Sequence, residues 1–147
     1  MSDELETLYR SRLAEFRRVA AAIAGDRELG RDAVQEAFAA AVRKRRSYRG
    51  DGTLEAWVWR IVVNAARDAR RRSIVPAPDV QGTNGHAPVL PLELLTERQR
   101  EIVFLHYYAD LDYTAIAHAL EISPGTVGAT LNAARRTLRS ALQEVES

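Results

Sequence analysis

The chain has 147 residues, with 21 Lys and Arg side chains against 20 Asp and Glu, so its formal net charge is only +1. That balance excludes a uniformly polycationic nucleic-acid coat, and a composition that is 28% charged and 46% hydrophobic is typical of a globular protein. The absence of cysteine excludes a disulfide scaffold, a thiol nucleophile and a thiolate zinc site. No apolar run reaches the roughly 18 residues of a membrane helix, and the acidic start is unlike a signal peptide. We therefore expect a cytoplasmic protein without membrane insertion.

The charge is distributed unevenly along the chain. Residues 1–42 carry a net −2, residues 43–73 carry +7, residues 74–91 carry −1 and residues 92–147 carry −3. One strongly basic stretch in a nearly neutral protein indicates a polyanionic partner for that stretch alone. An ordinary solvated helix face is the alternative interpretation.

Residues 74–91 contain four of the five prolines and two glycines, a composition typical of a linker. On both sides of it, apolar residues recur at intervals of three and four, and no segment alternates as a strand does. The sequence therefore predicts an all-α protein with two small helical domains, residues 1–73 and residues 92–147, joined by the linker.

In the first predicted domain, residues 1–73, which we call the first module, the apolar pattern predicts three helices. The first has an apolar stripe and ends at Gly25; the stripe comprises Leu5, Leu8, Tyr9, Leu13, Phe16, Val19, Ala20 and Ile23. The second helix buries Ala33, Val34, Ala37, Phe38 and Ala41. Its opposite side presents Asp32, Gln35 and Glu36 at helical spacing, which we call the docking face.

A turn-rich segment, residues 47–52, precedes a third helix for which Thr53 is a plausible N-cap. This helix is predicted to bury Leu54, Trp57, Val58, Ile61, Val62 and Ala65. Its other face carries Arg60, Asn64, Arg67 and Arg71 at intervals of four, three and four, a line of guanidinium and amide donors that we call the ridge. If the polyanionic partner of the basic stretch is a nucleic acid, Tyr48, Trp57 and Trp59 offer stacking surfaces for its bases; Trp57 is assigned to the core, and Tyr48 is the better stacking candidate.

In the second predicted domain, residues 92–147, which we call the second module, the sequence predicts a helix-turn-helix. Thr96 and Gln99 form a capping-box pattern, Asp112 can cap a short helix, and Ser123 followed by Pro124 is a strong start signal for the last helix. A short helix, a tight turn and a longer helix are typical of DNA-binding modules, although plain helical bundles contain the same pattern.

Taken together, these segments resemble the extracytoplasmic-function group of the sigma-70 family of bacterial RNA polymerase sigma factors. Residues 32–38 are similar to the family's D-x-V-Q-E-x-F run, residues 48–53 to its promoter-melting loop, and residues 56–64 to the helix that follows. Residues 95–101 and 111–117 resemble signatures of its second domain, and residues 125–127 match the start of its promoter-reading helix. The match covers nearly the whole chain except the linker.

The resemblance implies a role for each surface. The docking face binds the clamp coiled coil of the polymerase core, with the flap as a second contact on the core. Promoter DNA is bound by two sets of residues, in the first module Tyr48, Arg49, Asp51, Arg60, Asn64, Arg67 and Arg71, and in the second Thr126, Thr130, Asn132, Arg135 and Arg136. An anti-sigma factor is a further partner that the resemblance implies. It implies no cofactor, metal or small-molecule substrate.

The promoter-reading helix departs from the family pattern. Three positions that are commonly basic in the family hold Gly128, Thr130 and Ala133, and a common Ser is Ala129. Each missing phosphate contact lowers the salt dependence of DNA binding by about 0.9 in the log–log slope. We therefore expect weaker contact with the upstream promoter element, and we hypothesise that the first module supplies most of the DNA affinity.

Other function classes have less support in the sequence. The three histidines are scattered, and the chain has no phosphate-cradling loop after a strand and no Gly-x-Ser-x-Gly elbow, so we expect no enzyme. A sigma-like regulator without initiation activity is the alternative to a sigma factor. A purely protein-binding helical adaptor is the third hypothesis, and the +7 segment argues against it.

Overall fold

The computed structural model describes residues 2–73 and 92–146, and within these residues every regular element is helical. The helices are α1 (Ser2–Ala24), α2 (Arg27–Arg43), α3 (Leu54–Arg72), α4 (Glu97–Tyr107), α5 (Tyr113–Leu120) and α6 (Pro124–Glu146), with short 3₁₀ turns at Arg45–Ser47 and Leu92–Leu94. The predicted all-α fold is confirmed. The predicted linker, residues 74–91, lies outside the described residues.

The helix starts follow the capping residues expected from the sequence. The side chains of Thr53 and Asp112 accept hydrogen bonds from backbone N–H groups of α3 and α5, and Thr96 and Gln99 form the complete capping box of α4. Ser123 accepts from the backbone of the first turn of α6 at 3.1 Å. Each cap satisfies N–H groups that have no partner inside the helix, which defines where each helix begins.

Helices α1, α2 and α3 pack on one another as the first helical group. Phe16 of α1 contacts both Phe38 of α2 and Trp59 of α3, with ring centroids 5.1 and 4.4 Å apart. Helices α1 and α2 approach closely at Gly30, where a Cβ atom would lie 2.5 Å from the backbone of Ala21. The apolar stripes predicted for α1 and α2 face this core.

The prediction for the tryptophans of α3 was wrong. Trp59 has no exposed surface and lies in the core, whereas Trp57 is only partly buried and packs against Tyr48 at 5.6 Å between ring centroids. The prediction assumed one buried stripe, but α3 packs against α1 and α2 on one side and α5 on another. Because more than one of its faces is covered, a single stripe does not describe its core residues, and Trp59 offers no surface for stacking bases.

Helices α4, α5 and α6 form the second helical group, in which α5 and α6 are the helix-turn-helix. Glu121 ends α5 in the left-handed conformation, with φ at 59°, and Pro124 begins α6 three residues later. The buried residues Ile116, Val127 and Leu131 pack the two helices together over α4.

The two helical groups share one continuous core. The second group meets the first mainly where α5 lies against α3 and where α4 approaches α1. We call this arrangement the closed packing. It brings the second group directly onto the helix that carries the ridge.

Candidate polymerase and nucleic-acid surfaces

The ridge of α3 is only partly exposed in the closed packing. Asn64 and Arg71 are exposed, whereas Arg60 and Arg67 are partly buried beneath the second helical group. Arg71 pairs with Asp68 of its own helix at 3.3 Å. The four residues lie along one face as predicted, but two of the three arginines, Arg60 and Arg67, are used for contacts with the second helical group.

The most buried of these contacts joins Arg67 to Glu101 of α4. The guanidinium donates two hydrogen bonds to the two carboxylate oxygens, one of them with Nε and Oε2 2.8 Å apart. The Glu101 side chain is 3% exposed and that of Arg67 is 21% exposed. The hydrogen bond with Glu101 raises the pKa of Arg67, so the guanidinium stays charged. A two-point contact of this kind fixes both side chains in position.

A second contact joins Arg60 to the end of α5. Its Nε and Nη2 donate to the backbone carbonyl of His118 at 3.1 and 2.6 Å, and Glu121 lies 3.8 Å away. The last turn of a helix has carbonyl groups without helical partners and a partial negative charge, so a guanidinium is well placed there. Arg60 therefore holds α5 against α3.

The segment predicted to melt promoter DNA also touches the second helical group. Gly52, with φ at 81°, lies so close to the imidazole of His118 that a Cβ atom would be 2.8 Å from the ring. Arg49 and Asp51 remain exposed at the tip of the loop. Tyr48 is partly buried, and its hydroxyl donates to the carbonyl of Gly52 at 2.8 Å.

A third contact across the closed packing comes from α1. Arg12 donates to the backbone carbonyl of Ala109, which follows α4, and pairs with Glu55 of α3 at 3.1 Å. The backbone of α1 is non-helical at Arg12. This contact lies outside the ridge, so it stabilises the closed packing without using a predicted DNA-binding residue.

The sequence prediction missed Glu101, His118 and Arg12 as functional residues. For Glu101 a signal was present, because it lies among the buried residues Ile102 to Leu105 of α4. A carboxylate in such a place requires a charged or hydrogen-bonding partner. His118 contacts Arg60 through its backbone carbonyl and Gly52 through its imidazole, and neither long-range contact leaves a pattern in the local sequence.

The docking face is exposed on α2, as predicted. Asp32, Gln35 and Glu36 are all accessible, and Asp32 and Glu36 line a groove of about 410 Å³ that extends to the end of α3. Glu36 lies 3.6 Å from Arg72, with both side chains more than half exposed. An exposed pair of this kind contributes little, at most about 1 kcal/mol, so a basic partner can displace it.

Helix α6, the predicted promoter-reading helix and called the recognition helix below, remains accessible along its predicted DNA face. Thr126, Asn132 and Arg136 are exposed, and Thr130 and Arg135 are partly exposed. Arg135 donates to the hydroxyl of Tyr107 at 2.9 Å, which raises the pKa of this arginine, and its guanidinium lies 5.8 Å from the ring centroid.

The glycine in the second turn of α6, Gly128, has a packing reason. A Cβ atom at Gly128 would lie 3.2 Å from Cε2 of Tyr113, the first residue of α5. Any side chain here requires the tyrosine ring to shift by a few tenths of an ångström. The departure from the family pattern at this position therefore accompanies a close contact between the two helices of the helix-turn-helix.

Neither a metal site nor a membrane span emerges from the described part of the chain. Within residues 2–73 and 92–146, no three His, Asp or Glu side chains are grouped so that they could hold a metal ion. His106 bonds the carbonyl of Leu111 through Nδ1 at 3.0 Å. None of the helices described combines the length and apolar character needed to cross a bilayer.

Two family models match the chain. One, described as Sigma-70 region 2, matches residues 8–73, and the other, Sigma-70, region 4, matches residues 92–138. Among curated proteins, the RNA polymerase sigma-H factor of Pseudomonas aeruginosa is 28% identical over 145 residues, a match that spans 80% of this chain and 75% of that protein.

Two solved structures are similar in fold. CnrH, in complex with the cytosolic domain of CnrY, superposes with a TM-score of 0.78 and 22% identity over 100% of this chain and 92% of its own. The sigma factor RpoE of Bartonella quintana, in complex with the anti-sigma factor NepR, gives a TM-score of 0.71 and 22% identity over 97% of this chain and 98% of its own. The helical arrangement of the chain is thus shared with both.

Proposed function

Since this chain belongs to the sigma-70 family of bacterial RNA polymerase sigma factors, in its extracytoplasmic-function group, we propose a role for each of its surfaces in transcription initiation. The protein binds the polymerase core and directs promoter recognition. In the proposal, residues 1–73 dock on the core and read and melt the downstream element, and residues 92–147 contact the upstream element. The chain acts by binding, and bond formation belongs to the polymerase.

The docking face is proposed to bind the clamp coiled coil of the core. Its support is an exposed carboxylate and amide surface, with Glu36 held only by an exposed pair to Arg72. A basic partner surface gains charge complementarity there, which accelerates association and selects the orientation of binding. Arg72 is released when the partner takes over Glu36, and it adds a cation at the end of the ridge.

The ridge is proposed to bind the downstream promoter element once the closed packing has opened. The observation that carries this proposal is the pairing of Arg67 with Glu101, because the carboxylate occupies the guanidinium that a DNA phosphate or base edge requires. Arg60 is likewise occupied by the carbonyl of His118. Under this proposal, the closed packing is a form of the sigma factor in which promoter reading is blocked.

The Arg67–Glu101 pair suits a contact that must break during function. Two charges buried together lose hydration, and that loss offsets much of their attraction. When the helical groups separate, both charges regain water, and Arg67 can then exchange Glu101 for a phosphate. Removal of one partner alone leaves the other buried without compensation, which destabilises the closed packing specifically.

The recognition helix is proposed to contact the upstream element weakly. Arg135 and Arg136 are its accessible basic residues along the predicted face, and Thr126, Thr130 and Asn132 add neutral donors and acceptors. Without the basic side chains that the family commonly carries at positions 128, 130 and 133, fewer counterions are released on binding.

An anti-sigma factor is proposed as a regulatory partner. Two solved sigma factors of similar fold are bound to other proteins, RpoE to an anti-sigma factor and CnrH to the cytosolic domain of CnrY. The closed packing of this chain supports the same mode of control, because any protein that stabilises it also blocks Arg60 and Arg67.

Run-off transcription with purified bacterial core polymerase tests the assignment of the docking face. We expect the double charge reversal Asp32→Lys with Glu36→Lys to abolish core binding and transcription together. The matched control is Asp3→Lys with Glu4→Lys, which reverses two exposed carboxylates in the first turn of α1. Equal losses in both variants, or intact core binding in the first, contradict the assignment.

A further inference from the structure

A cleft of about 670 Å³ lies on the first helical group, and none of its lining residues belongs to the docking face or the ridge. Its walls come from the second half of α1 and the first turns of α2, and Tyr108 at the end of α4 completes its rim. Because Tyr108 belongs to the second helical group, the cleft is complete only in the closed packing. Its volume is within the range of small-molecule sites, about 300 to 1,000 Å³.

The cleft is lined by four arginines, Arg17, Arg18, Arg27 and Arg31. None of them forms an ion pair with a carboxylate in the described part of the chain. The single acidic lining residue, Asp26, already accepts a hydrogen bond from the backbone of Leu29 as the N-cap of α2. The four positive charges therefore face a single negative charge, that of Asp26, and the cleft lining has a clear excess of positive charge.

Small residues bring these arginines together. The close approach at Gly30 places α2 against Ala21 of α1, so Arg17 and Arg18 on one helix face Arg27 and Arg31 on the other across the same cleft. Side chains of like charge that converge repel one another when the space between them is empty. An anion in that space removes the repulsion and gains four charge-assisted contacts.

The beginning of α2 adds to the positive potential of the cleft. Asp26 satisfies the N–H of Leu29 with its side chain and that of Gly30 with its carbonyl. The N–H groups of Arg27 and Glu28, at the positive end of the helix, have no partner inside the helix. Backbone donors at a helix start combined with guanidinium groups are the chemistry that recognises phosphate.

We propose that this cleft binds a small anion with several phosphate groups, either an inorganic oligophosphate or the phosphate chain of a nucleotide. The concave shape and limited volume favour a small ligand over DNA, whose backbone is met by an extended row of cations such as the ridge. Four guanidinium groups around one cleft match the charge of a triphosphate rather than that of a single phosphate.

The cleft couples ligand binding to the closed packing through Tyr108. The Tyr108 ring stacks on Phe104 at 5.5 Å and lies 5.9 Å from the guanidinium of Arg18. A ligand that touches both helical groups binds the closed packing more tightly than the open form and so favours it. Because the four arginines belong to the first helical group and stay together in the open form, the ligand raises the closed-to-open ratio only by the factor by which Tyr108 strengthens its binding. This consequence rests on the proposed function, whereas the binding itself does not.

Isothermal titration calorimetry of the full chain with sodium tripolyphosphate tests the binding directly. We expect tripolyphosphate to bind at least about tenfold more tightly than inorganic phosphate at equal ionic strength, since each added charge-assisted contact contributes roughly 1.5 kcal/mol. An ATP titration shows which source of the phosphate chain is preferred. The decisive variant is Arg27→Gln with Arg31→Gln. Its matched control, Arg46→Gln with Arg98→Gln, removes two exposed, unpaired charges outside the cleft.

We expect the cleft variant to bind tripolyphosphate at least about tenfold more weakly than the unmodified protein. The affinity of the control variant is expected to differ from that of the unmodified protein by less than about twofold. Equal weakening in both variants overturns it, because attraction to net charge alone then explains the binding. Binding of a 12-nucleotide single strand, but not of tripolyphosphate, through Arg27 and Arg31 also overturns it in favour of a DNA contact. An unchanged affinity after Tyr108→Ala overturns the coupling to the closed packing.

None of these measurements involves polymerase or promoter DNA, so a failure here is distinct from a failure of the proposed function. Circular dichroism and thermal unfolding without ligand show whether Arg27→Gln with Arg31→Gln retains the fold. Both side chains are exposed, so we expect the unfolding temperature to stay the same or to rise slightly as repulsion is removed.

Discussion

The ridge of α3 and the recognition helix α6 are the two surfaces assigned to promoter DNA, and the closed packing affects them differently. The ridge has three arginines, but two of them are held by Glu101 and by the carbonyl of His118. The recognition helix is accessible but has lost basic residues relative to its family. The surface with more basic residues is thus the one that the second helical group covers, and in the proposal the contact between the helical groups therefore controls DNA affinity.

Removal of the ridge arginines provides the largest expected effect. With holoenzyme on a promoter fragment, we expect Arg60→Ala with Arg67→Ala to reduce promoter binding by at least about tenfold, because two charged contacts with DNA are lost. The matched pair on the recognition helix, Arg135→Ala with Arg136→Ala, is expected to cost only about threefold. Electrophoretic mobility shifts at fixed salt measure both. A greater loss for the second pair reverses the comparison.

In the proposal, Glu101 blocks Arg67 but does not contact DNA. A substitution of Glu101 therefore exposes the ridge without removing a residue that binds DNA. We expect Glu101→Ala to increase the affinity of the free full chain for a single-stranded downstream element by roughly tenfold, since the closed packing loses its buried pair. Fluorescence anisotropy measures the change. Glu93→Ala, an exposed carboxylate before α4, is the control and is expected to leave the affinity within about twofold. No gain for Glu101→Ala indicates that the ridge was already accessible.

Restoration of basic residues on the recognition helix is the smallest of the three expected effects. We expect Thr130→Arg to steepen the slope of log affinity against log salt by about 0.9 for duplex upstream DNA. Gly128→Lys adds the same charge, so a similar change in slope is expected. Because a side chain at residue 128 crowds Tyr113 but also gains helix propensity, we expect Gly128→Lys to change the unfolding temperature more favourably in a Tyr113→Ala background than in the unmodified protein. An equal change in both backgrounds means that the packing account of that glycine is wrong.

Local structure was predictable because its causes are local. The caps at Thr53, Thr96, Asp112 and Ser123 and the apolar stripe of α2 depend on residues within four positions of each other, and all were confirmed. The wrong assignment of Trp57, instead of Trp59, to the core has a longer-range cause. Helix α3 is covered from two sides, one of them by residues almost sixty positions away, and a periodic pattern carries no information about that second neighbour.

The residues that form the ridge were predictable from the sequence, but their contacts in the closed packing were not. The sequence predicts that Arg60, Asn64 and Arg67 lie on one face of a helix, and the structure confirms this placement. Their role in DNA binding stays a prediction. Arg67 is held by Glu101, a carboxylate whose position beside a run of apolar residues indicates a buried charge in need of a partner. Arg60 is held by a backbone carbonyl, and such a contact leaves no pattern in the sequence. The basic cleft at Arg27 and Arg31 was likewise hidden inside a segment whose net charge is −2.

The separation of the two helical groups on promoter binding is the central claim, and energy transfer between two fluorophores tests it most directly. The chain has no cysteine, so Val42→Cys on α2 and Leu142→Cys on α6 label two exposed positions, one on each group. We expect single-stranded downstream DNA to lower the transfer efficiency, and Glu101→Ala to lower it before any DNA is added. Unchanged transfer with bound DNA contradicts the account, because the ridge then reads its promoter element while the closed packing persists.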